Sequence, residues 1–360
     1  MNDINIYVPI VLVGLLIVIT LIIFLADRFL GDHSEKRIFI NDDTVISISS
    51  DDTALNVLNE NKIHLPSACG GKATCGTCKF RLIDYDAPPR ATEMPFLSKK
   101  EVDDGVRLSC QTKVSSDLRI VLPKGLLTAK EVIGIVEAVE DLTYDIKLVR
   151  FKLTEPLEFK PGQYVQIKVP GIEVVRAYSI ASSIEDKYSI ELIIRLVPKG
   201  EATTFVHKAM IVGDKIPITG PFGDFYLQEE SKRPMILIAG GSGKAPIRSI
   251  VYRLMDLGFK RKAAYFFGAR TTKDLYYTDY FLDIAKRYPN FEYIPALSHS
   301  TEDENWTGET GLITDVVARF SDDLSGHEAY LCGSPGMIDA CIRVLKEKGM
   351  PEEHIYFDKF

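Results

Sequence analysis

The stretch Leu65–Leu82, LPSACGGKATCGTCKFRL, holds three of the chain's six cysteines together with three glycines. With Cys110 the spacing is C-x5-C-x2-C-x31-C. Two chemistries compete for four such thiols: a zinc clip that staples a small fold, or an iron–sulfur redox centre. A structural zinc site answers its C-x2-C with a second pair or with closely spaced histidines, and neither follows here. Three clustered cysteines and one distant cysteine approach the C-x4-C-x2-C…C spacing of a [2Fe–2S] loop, with one extra residue between the first two. Gly70, Gly71 and Gly76 allow the backbone to turn close to the sulfurs and aim N–H groups at them, which tunes a cluster's potential. Cys69, Cys75, Cys78 and Cys110 are therefore expected to ligate a [2Fe–2S] cluster, a one-electron relay.

A second chemistry lies in Gly240–Pro246, GGSGKAP, which follows the apolar run MILIAGG and opens a helix. There a phosphate meets free backbone N–H groups and the positive end of the helix dipole. Lys244 suggests a Walker A loop, but that motif needs Gly at 238 and Ser or Thr after the lysine, where this chain has Ile238 and Ala245. Nor is it a full G-x-G-x-x-G, because Pro246 replaces the third glycine. Gly240, Gly241, Gly243 and Pro246 are expected at a dinucleotide. A 2′-phosphate asks for arginine; HSTEDEN at 299–305 is acidic, and GARTTKDLYY offers only Arg270 and Lys273. NADH is the expected nucleotide.

These sites need scaffolds. The 360 residues allow two or three domains. Fifty acidic against 43 basic residues leave no basic face for nucleic acid. Six cysteines in so long a chain are no secreted disulfide framework, and a reducing compartment fits better. KRIFINDDTVISISSDDT reads as strand, turn and strand, followed by a short helix carrying Leu55, Val57, Leu58 and Ile63, and then by strands in CKFRLIDYD and SSDLRIVLP. A compact α+β domain over 35–125 results, with PKGLLTAKE as linker. IKLVRFKL, GQYVQIKVP and SIELIIRLV then succeed one another as in an antiparallel β-barrel, giving a domain over 130–230. Beyond Pro234 the apolar runs MILIAGG, AAYFFGA, FEYIPAL and EAYLCG are interspersed with helical patterns such as Ile247, Ile250, Val251 and Leu254. That alternation predicts a doubly wound α/β domain over 232–360.

Ile6–Ala26 is 21 residues without a charge, long enough at about 1.5 Å per residue to match a hydrocarbon core. The start, MNDIN, lacks the basic residues of a signal peptide. A transmembrane helix over 4–28 is expected, and Arg28, Lys36 and Arg37 after it place the bulk of the chain on the cytoplasmic side of the cell inner membrane, single-pass.

RAYSIAS at 176–182, GEATTF at 200–205 and GPFG at 220–223 occur in the order of the flavin-binding segments of the ferredoxin-reductase family, which this region resembles. GGSGKAP and CGSPGM resemble that family's nucleotide segments, and residues 35–125 resemble a plant-type or adrenodoxin-like ferredoxin of β-grasp fold. The whole order, with NWTGETG as a further match, resembles the ferredoxin-and-flavin component of the sodium-translocating NADH:quinone reductase family. The resemblance implies FAD, with Arg176 on the pyrophosphate, Tyr178 stacked on the flavin and Ser179 bonded near N5. It makes Gly200, Thr203 and Thr204 a second pyrophosphate segment, adds Gly220 and Gly223, and places Phe360 of YFDKF over the other flavin face. Cys332 and Gly333 fall at the nicotinamide, so Ser179 and Cys332 are the catalytic candidates; burial as a small hydrophobe is the other role open to Cys332.

The activity so implied is hydride transfer from NADH to FAD, then single electrons through the cluster to a membrane partner, with other membrane subunits of a redox complex alongside. One uncharged span cannot itself carry sodium. Between GQYVQIKVP and RAYS stands only GIEVV, where the resemblance implies a long insertion, which leaves room for another acceptor. The reductase component of a monooxygenase is the first alternative. A non-enzymatic metal-binding membrane adaptor is the second, and it would be colourless and inert to NADH.

Overall fold

The computed structural model describes residues 4–30, 35–48, 52–83, 88–299 and 306–360. Helix α1, Ile4–Leu30, is 27 residues long. Its described side chains are those of residues 11–25, all exposed, and apart from Gly14 and Thr20 all large and apolar. Among the described residues no helix is long and apolar enough to cross a membrane. The expected span, Ile6–Ala26, reaches beyond that stretch at both ends.

The first domain begins with a hairpin of β1, Lys36–Ile40, and β2, Thr44–Ile48. Asn41 and Asp42 take positive φ at its turn, a conformation that these two residue types tolerate best after glycine. Helix α2, Ala54–Glu60, starts where the Thr53 side chain accepts from the Asn56 N–H, and it buries Ala54, Leu55, Val57 and Leu58. Strand β3, Lys79–Ile83, the short helix α3, Lys99–Asp103, and strands β4, Val106–Leu108, and β5, Leu118–Val121, complete the unit. Sheet order is β2-β1-β5-β3-β4, with β1 and β5 parallel at the centre. Residues 84–86, the end of the expected strand CKFRLIDYD, lie outside the described residues.

The second domain contains β6, Lys130–Asp141, β7, Ile146–Leu153, β8, Tyr164–Lys168, β9, Val175–Ser179, β10, Ser189–Arg195, and β11, Lys215–Phe222, with helix α4, Glu201–Lys208, before β11. The strands pair antiparallel in the order β10-β7-β6-β11-β8-β9. A bridge between Ile180 and Leu192 joins the end of β9 back to β10 and closes the barrel. Ile190, Leu192 and Ile194 face the barrel core as their alternation predicts, but Glu191 and Ile193 on the other face are buried too. The reason is tertiary: the outer face of β10 packs on the third domain, where Ile193 joins the core cluster of that domain.

The third domain has β12, Met235–Gly240, β13, Ala263–Ala269, β14, Phe291–Leu297, β15, Glu309–Thr310, β16, Glu328–Gly333, and β17, Ile355–Lys359, all parallel. Helices α5, Lys244–Asp256, α6, Thr278–Arg287, α7, Ile313–Phe320, and α8, Pro335–Glu347, connect them. Two elements were not apparent in the sequence. Helix α6 anchors itself with only Phe281 and Ile284 buried, and the terminal aromatic segment is an edge strand with Cys332 opposite Asp358. The order β15-β14-β13-β12-β16-β17 sends the chain outward from β12 in one direction and back to β16 on the other side. Ligands of open α/β sheets bind in the crevice at such a switch point, beyond the carboxyl ends of the strands.

A Cβ on Gly243, where α5 begins, would stand 2.1 Å from the Cys332 carbonyl oxygen. Gly243→Ala is expected to cost about 2–4 kcal/mol through that clash. Gly336→Ala, whose Cβ meets nothing within 4 Å, is expected to change stability by less than about 1 kcal/mol. Thermal denaturation of the two variants side by side checks both values.

Candidate functional site

The cysteine loop leaves β3 and α2 with little regular structure, and its conformation depends on close approach. At Gly76, φ is +66°, and a Cβ there would meet the Phe96 ring at 2.7 Å. The four thiols fall into two pairs. Cys69 Sγ and Cys75 Sγ are 3.3 Å apart, and Cys78 and Cys110 lie close enough for each thiol to shift the other's pKa. Among the described residues no three metal-ligating side chains converge on one point. Two separate pairs do not suit a single zinc ion held by four thiolates; they do suit a binuclear cluster, each pair on one iron. Backbone N–H groups of the loop are aimed at its thiols. Burial works against ionisation of Cys69, but hydrogen bonds from Thr74 and Lys72 outweigh it and lower its pKa. Cys110 is lowered chiefly by the Cys78 thiol, with the Ala73 N–H adding to the effect, and Cys78 is raised in turn.

A cavity of about 810 Å³ opens where the three domains meet, at the switch point between β12 and β16. Arg176 to Ser179 of β9 form one wall, Gly200 to Thr203 at the start of α4 a second, and Gly240 to Ser242 with Ser334 and Met337 a third. Ala68 and Thr77 of the cysteine loop, Asp358 and Lys359 of β17, and Phe360 after it complete the cavity. Thr77 Oγ1 is 3.1 Å from Cys75 Sγ, so one of the four expected cluster thiols stands directly behind the cavity wall.

Each part has a local cause. Arg176 Nη1 donates to the Val175 carbonyl at 2.7 Å and to Ala68 of the cysteine loop at 3.4 Å. The amide of Gln166, buried on β8, is assigned with its oxygen toward the loop, the orientation in which it accepts from the Ser67 and Ala68 N–H groups at 2.8 and 3.1 Å. The Tyr178 hydroxyl is buried without a hydrogen-bond partner, and burial pushes its pKa up to about 12. Ser179 is 8% exposed. An orphan hydroxyl, an arginine and two glycine-containing turns around a space of this size fit a flavin dinucleotide. Thr203 is already engaged: its hydroxyl accepts from the Val197 N–H at 3.1 Å and so braces the turn before α4.

The remaining expected residues do not line the cavity. Thr204, Gly243, Pro246, Cys332 and Gly333 lie behind its walls, as do Gly220 and Gly223, where a Cβ would press on Val165 and on the Tyr164 ring at 3.0 Å. Cys332 is fully buried, and desolvation raises its thiol pKa. It is not among the residues that line the cavity. Residues 300–305, most of the acidic stretch behind the NADH expectation, lie outside the described residues.

Among the cavity residues that sequence reasoning passed over are Tyr164, Arg195 and Asp358, and Arg270 was weighed only as a partner for a 2′-phosphate. Arg195 is held by Asp145 at 2.7 Å. Asp358 is half-buried, and desolvation pushes its carboxyl pKa up to about 6 despite a hydrogen bond from the Lys359 N–H. The only signal in the sequence was an acid inside an aromatic strand-like segment, YFDKF.

Comparison with known proteins gives the same three parts. Residues 38–115 match the 2Fe-2S iron-sulfur cluster binding domain, 133–226 the oxidoreductase FAD-binding domain and 237–343 the oxidoreductase NAD-binding domain. The phenol hydroxylase P5 protein of Acinetobacter pittii is 38% identical, over 88% of this chain and 92% of its own length. One component of the Na(+)-translocating NADH-quinone reductase of Neisseria gonorrhoeae is 30% identical over 96% of each chain. Among solved structures, the Amycolatopsis cytochrome P450 reductase GcoB is similar, with a TM-score of 0.77 at 29% identity, over 90% of this chain and 98% of that one. The expected FAD, NADH and [2Fe–2S] cluster agree with these matches.

The raised Asp358 pKa predicts a pH signature. Between about pH 4 and 6 the folded chain keeps a proton that the unfolded chain has released, and this stabilising contribution disappears as pH rises through the folded value near 6. Relative to Asp358→Asn, the natural protein is expected to lose up to about 2 kcal/mol between pH 4 and 7. Denaturation midpoints of both proteins across that range would show parallel curves if the carboxyl titrates normally.

Proposed function

The chain belongs to the family that joins a 2Fe-2S ferredoxin domain to FAD- and NAD-binding oxidoreductase domains, and from that premise we propose that it carries electrons from NADH to an acceptor held at a membrane. One observation carries the reading: Thr77 of the cysteine loop, Ser179 of the barrel and Gly241 of the nucleotide turn wall a single cavity. When bound there, FAD takes an electron pair from NADH as hydride, and the [2Fe–2S] cluster accepts electrons singly.

The chain's own residues set the geometry. The Arg176 guanidinium answers the charge of the dinucleotide's diphosphate. Tyr178 presents a flat ring to the isoalloxazine, and its unpartnered hydroxyl is free to bond the cofactor. Ser179 offers a hydroxyl near the flavin's reactive edge. Asp358 holds a proton at its carboxyl below about pH 6 on the same cavity wall. Ile193, Ala202 and Met337 keep water from the remaining surface. Gly241 and Ser242, at the positive end of α5, receive the NADH diphosphate, and Cys69, Cys75, Cys78 and Cys110 hold the cluster.

Exposure supports a membrane anchor at α1. Val11, Ile17, Ile23 and Phe24 each stand more than 60% exposed, a surface that water disfavours and lipid accepts. Arg28, Lys36 and Arg37 beyond it support a cytoplasmic side for the three domains. A second reading, delivery to an oxygenase, is favoured by the 38% identity to the phenol hydroxylase protein.

Deleting residues 1–30 is expected to leave NADH oxidation by ferricyanide within about twofold, while releasing the protein from membranes and ending reduction of a membrane acceptor. Undiminished delivery to a soluble oxygenase, with or without the helix, would favour the second reading. Cys75→Ser is expected to remove the cluster's visible and electron paramagnetic resonance signals while NADH still bleaches the flavin. Stopped-flow spectra at the flavin wavelength check the second half.

A further inference from the structure

Lys244, the first residue of α5, is fully buried. Its ammonium donates to the Tyr276 carbonyl at 2.6 Å and to the Tyr293 hydroxyl at 3.2 Å. It lies 3.5 Å over the Phe267 ring, with the rings of Tyr276 at 4.6 Å and Phe281 at 5.1 Å. A buried cation is costly: desolvation pulls the Lys244 pKa well below its usual value, and the two hydrogen bonds and the ring faces replace part of its water. Filling the core needs no such arrangement, because an apolar side chain would fill the same space among these rings without a charge to satisfy.

The use of this cage appears one bond further on. The Tyr276 hydroxyl donates to the Gly241 carbonyl at 2.7 Å. Gly241 has φ +56° and lines the cavity at the turn from β12 into α5. Lys244 thus grips the main chain of Tyr276, Tyr276 grips Gly241, and three residues of chain close the ring back to Lys244. The same carbonyl accepts from the Lys244 backbone N–H, so the turn is tied on its core side while Gly241 and Ser242 line the cavity.

We propose that Lys244 and Tyr276 are positioning residues for the dinucleotide: from inside the core they hold the Gly241 turn in the conformation that receives the diphosphate. The inference rests on the reading of Gly240–Pro246 as the NADH site. It differs from a phosphate-binding lysine, because the amine points into the core and acts through a tyrosine.

The test uses the full-length holoprotein with NADH and ferricyanide. Tyr276→Phe removes the single hydroxyl that reaches Gly241 and keeps the ring. It is expected to raise KM for NADH about five- to tenfold with kcat within about twofold, FAD content unchanged and the cluster spectrum unchanged. Lys244→Met is expected to move KM in the same direction by at least as much; if that variant does not fold, Tyr276→Phe alone decides. An unchanged KM in Tyr276→Phe would overturn the inference while leaving the nucleotide site in place. A parallel fall in kcat with loss of FAD would assign the hydroxyl to folding and also overturn it. A natural protein that does not oxidise NADH would overturn the site reading, and the inference with it.

Discussion

Two backbone N–H groups, those of Ser67 and Ala68, rest on the side chain of Gln166, and the carbonyl of Ala68 receives Arg176. This contact sets the cysteine loop against the barrel strands that wall the flavin-sized cavity. One-electron transfer needs proximity, and the loop's own sequence supplies none with respect to the barrel. Arg176 and Gln166 come from neighbouring antiparallel strands, β9 and β8, so barrel pairing presents both to the loop at once. The loop's carbonyl and N–H groups, which would otherwise need water, find partners across the domain boundary.

The other boundary is held by charge. Glu191 on the outer face of β10 pairs with Arg248 of α5 at 2.6 Å and with Arg150 at 2.7 Å. Arg248 also donates to the Ala181 carbonyl at 3.4 Å and lies over the rings of Tyr252 and Tyr277. Burial alone would raise the Glu191 pKa, but the two arginines outweigh it and hold the carboxyl below its usual value. A buried pair of this kind adds little net stability over apolar packing, yet losing one partner is costly. Its effect is on register: only one placement of α5 against β10 satisfies all three charges, and that placement brings the Gly241 turn to the mouth of the barrel.

Around the cavity, then, each domain contributes what its own fold exposes. The α/β sheet offers its switch point, the barrel offers the end of a strand pair, and the ferredoxin domain offers a loop without regular structure. A two-electron donor and a one-electron carrier need a mediator between them, and the cavity where the domains meet has room for it, with Thr77 and the Cys75 thiol immediately behind its wall.

The cysteine spacing, the strand alternations and the glycine-rich turn depend on neighbours close in sequence, so the three domains and their cofactors were legible from residues alone. The cysteine loop is local chemistry of this kind, as are the barrel strands with Val165, Ile167 and Val169 buried on one face. What lay beyond reach depended on residues far apart in sequence. Asp358 gains its perturbed carboxyl because β17 pairs with β16. Cys332 retreats into the core because α5 begins directly over its carbonyl. Gln166, an ordinary polar residue in a strand, acquires its partners about a hundred positions away. Lys244 looks like a phosphate ligand in the linear motif and becomes a core residue only because four aromatic rings, from β13, α6, β14 and the turn before α6, close around it. Motifs determine which groups are present; long-range packing decides which of them face the cavity, since burial and hydrogen bonding act on spatial neighbours and not on the order of the chain.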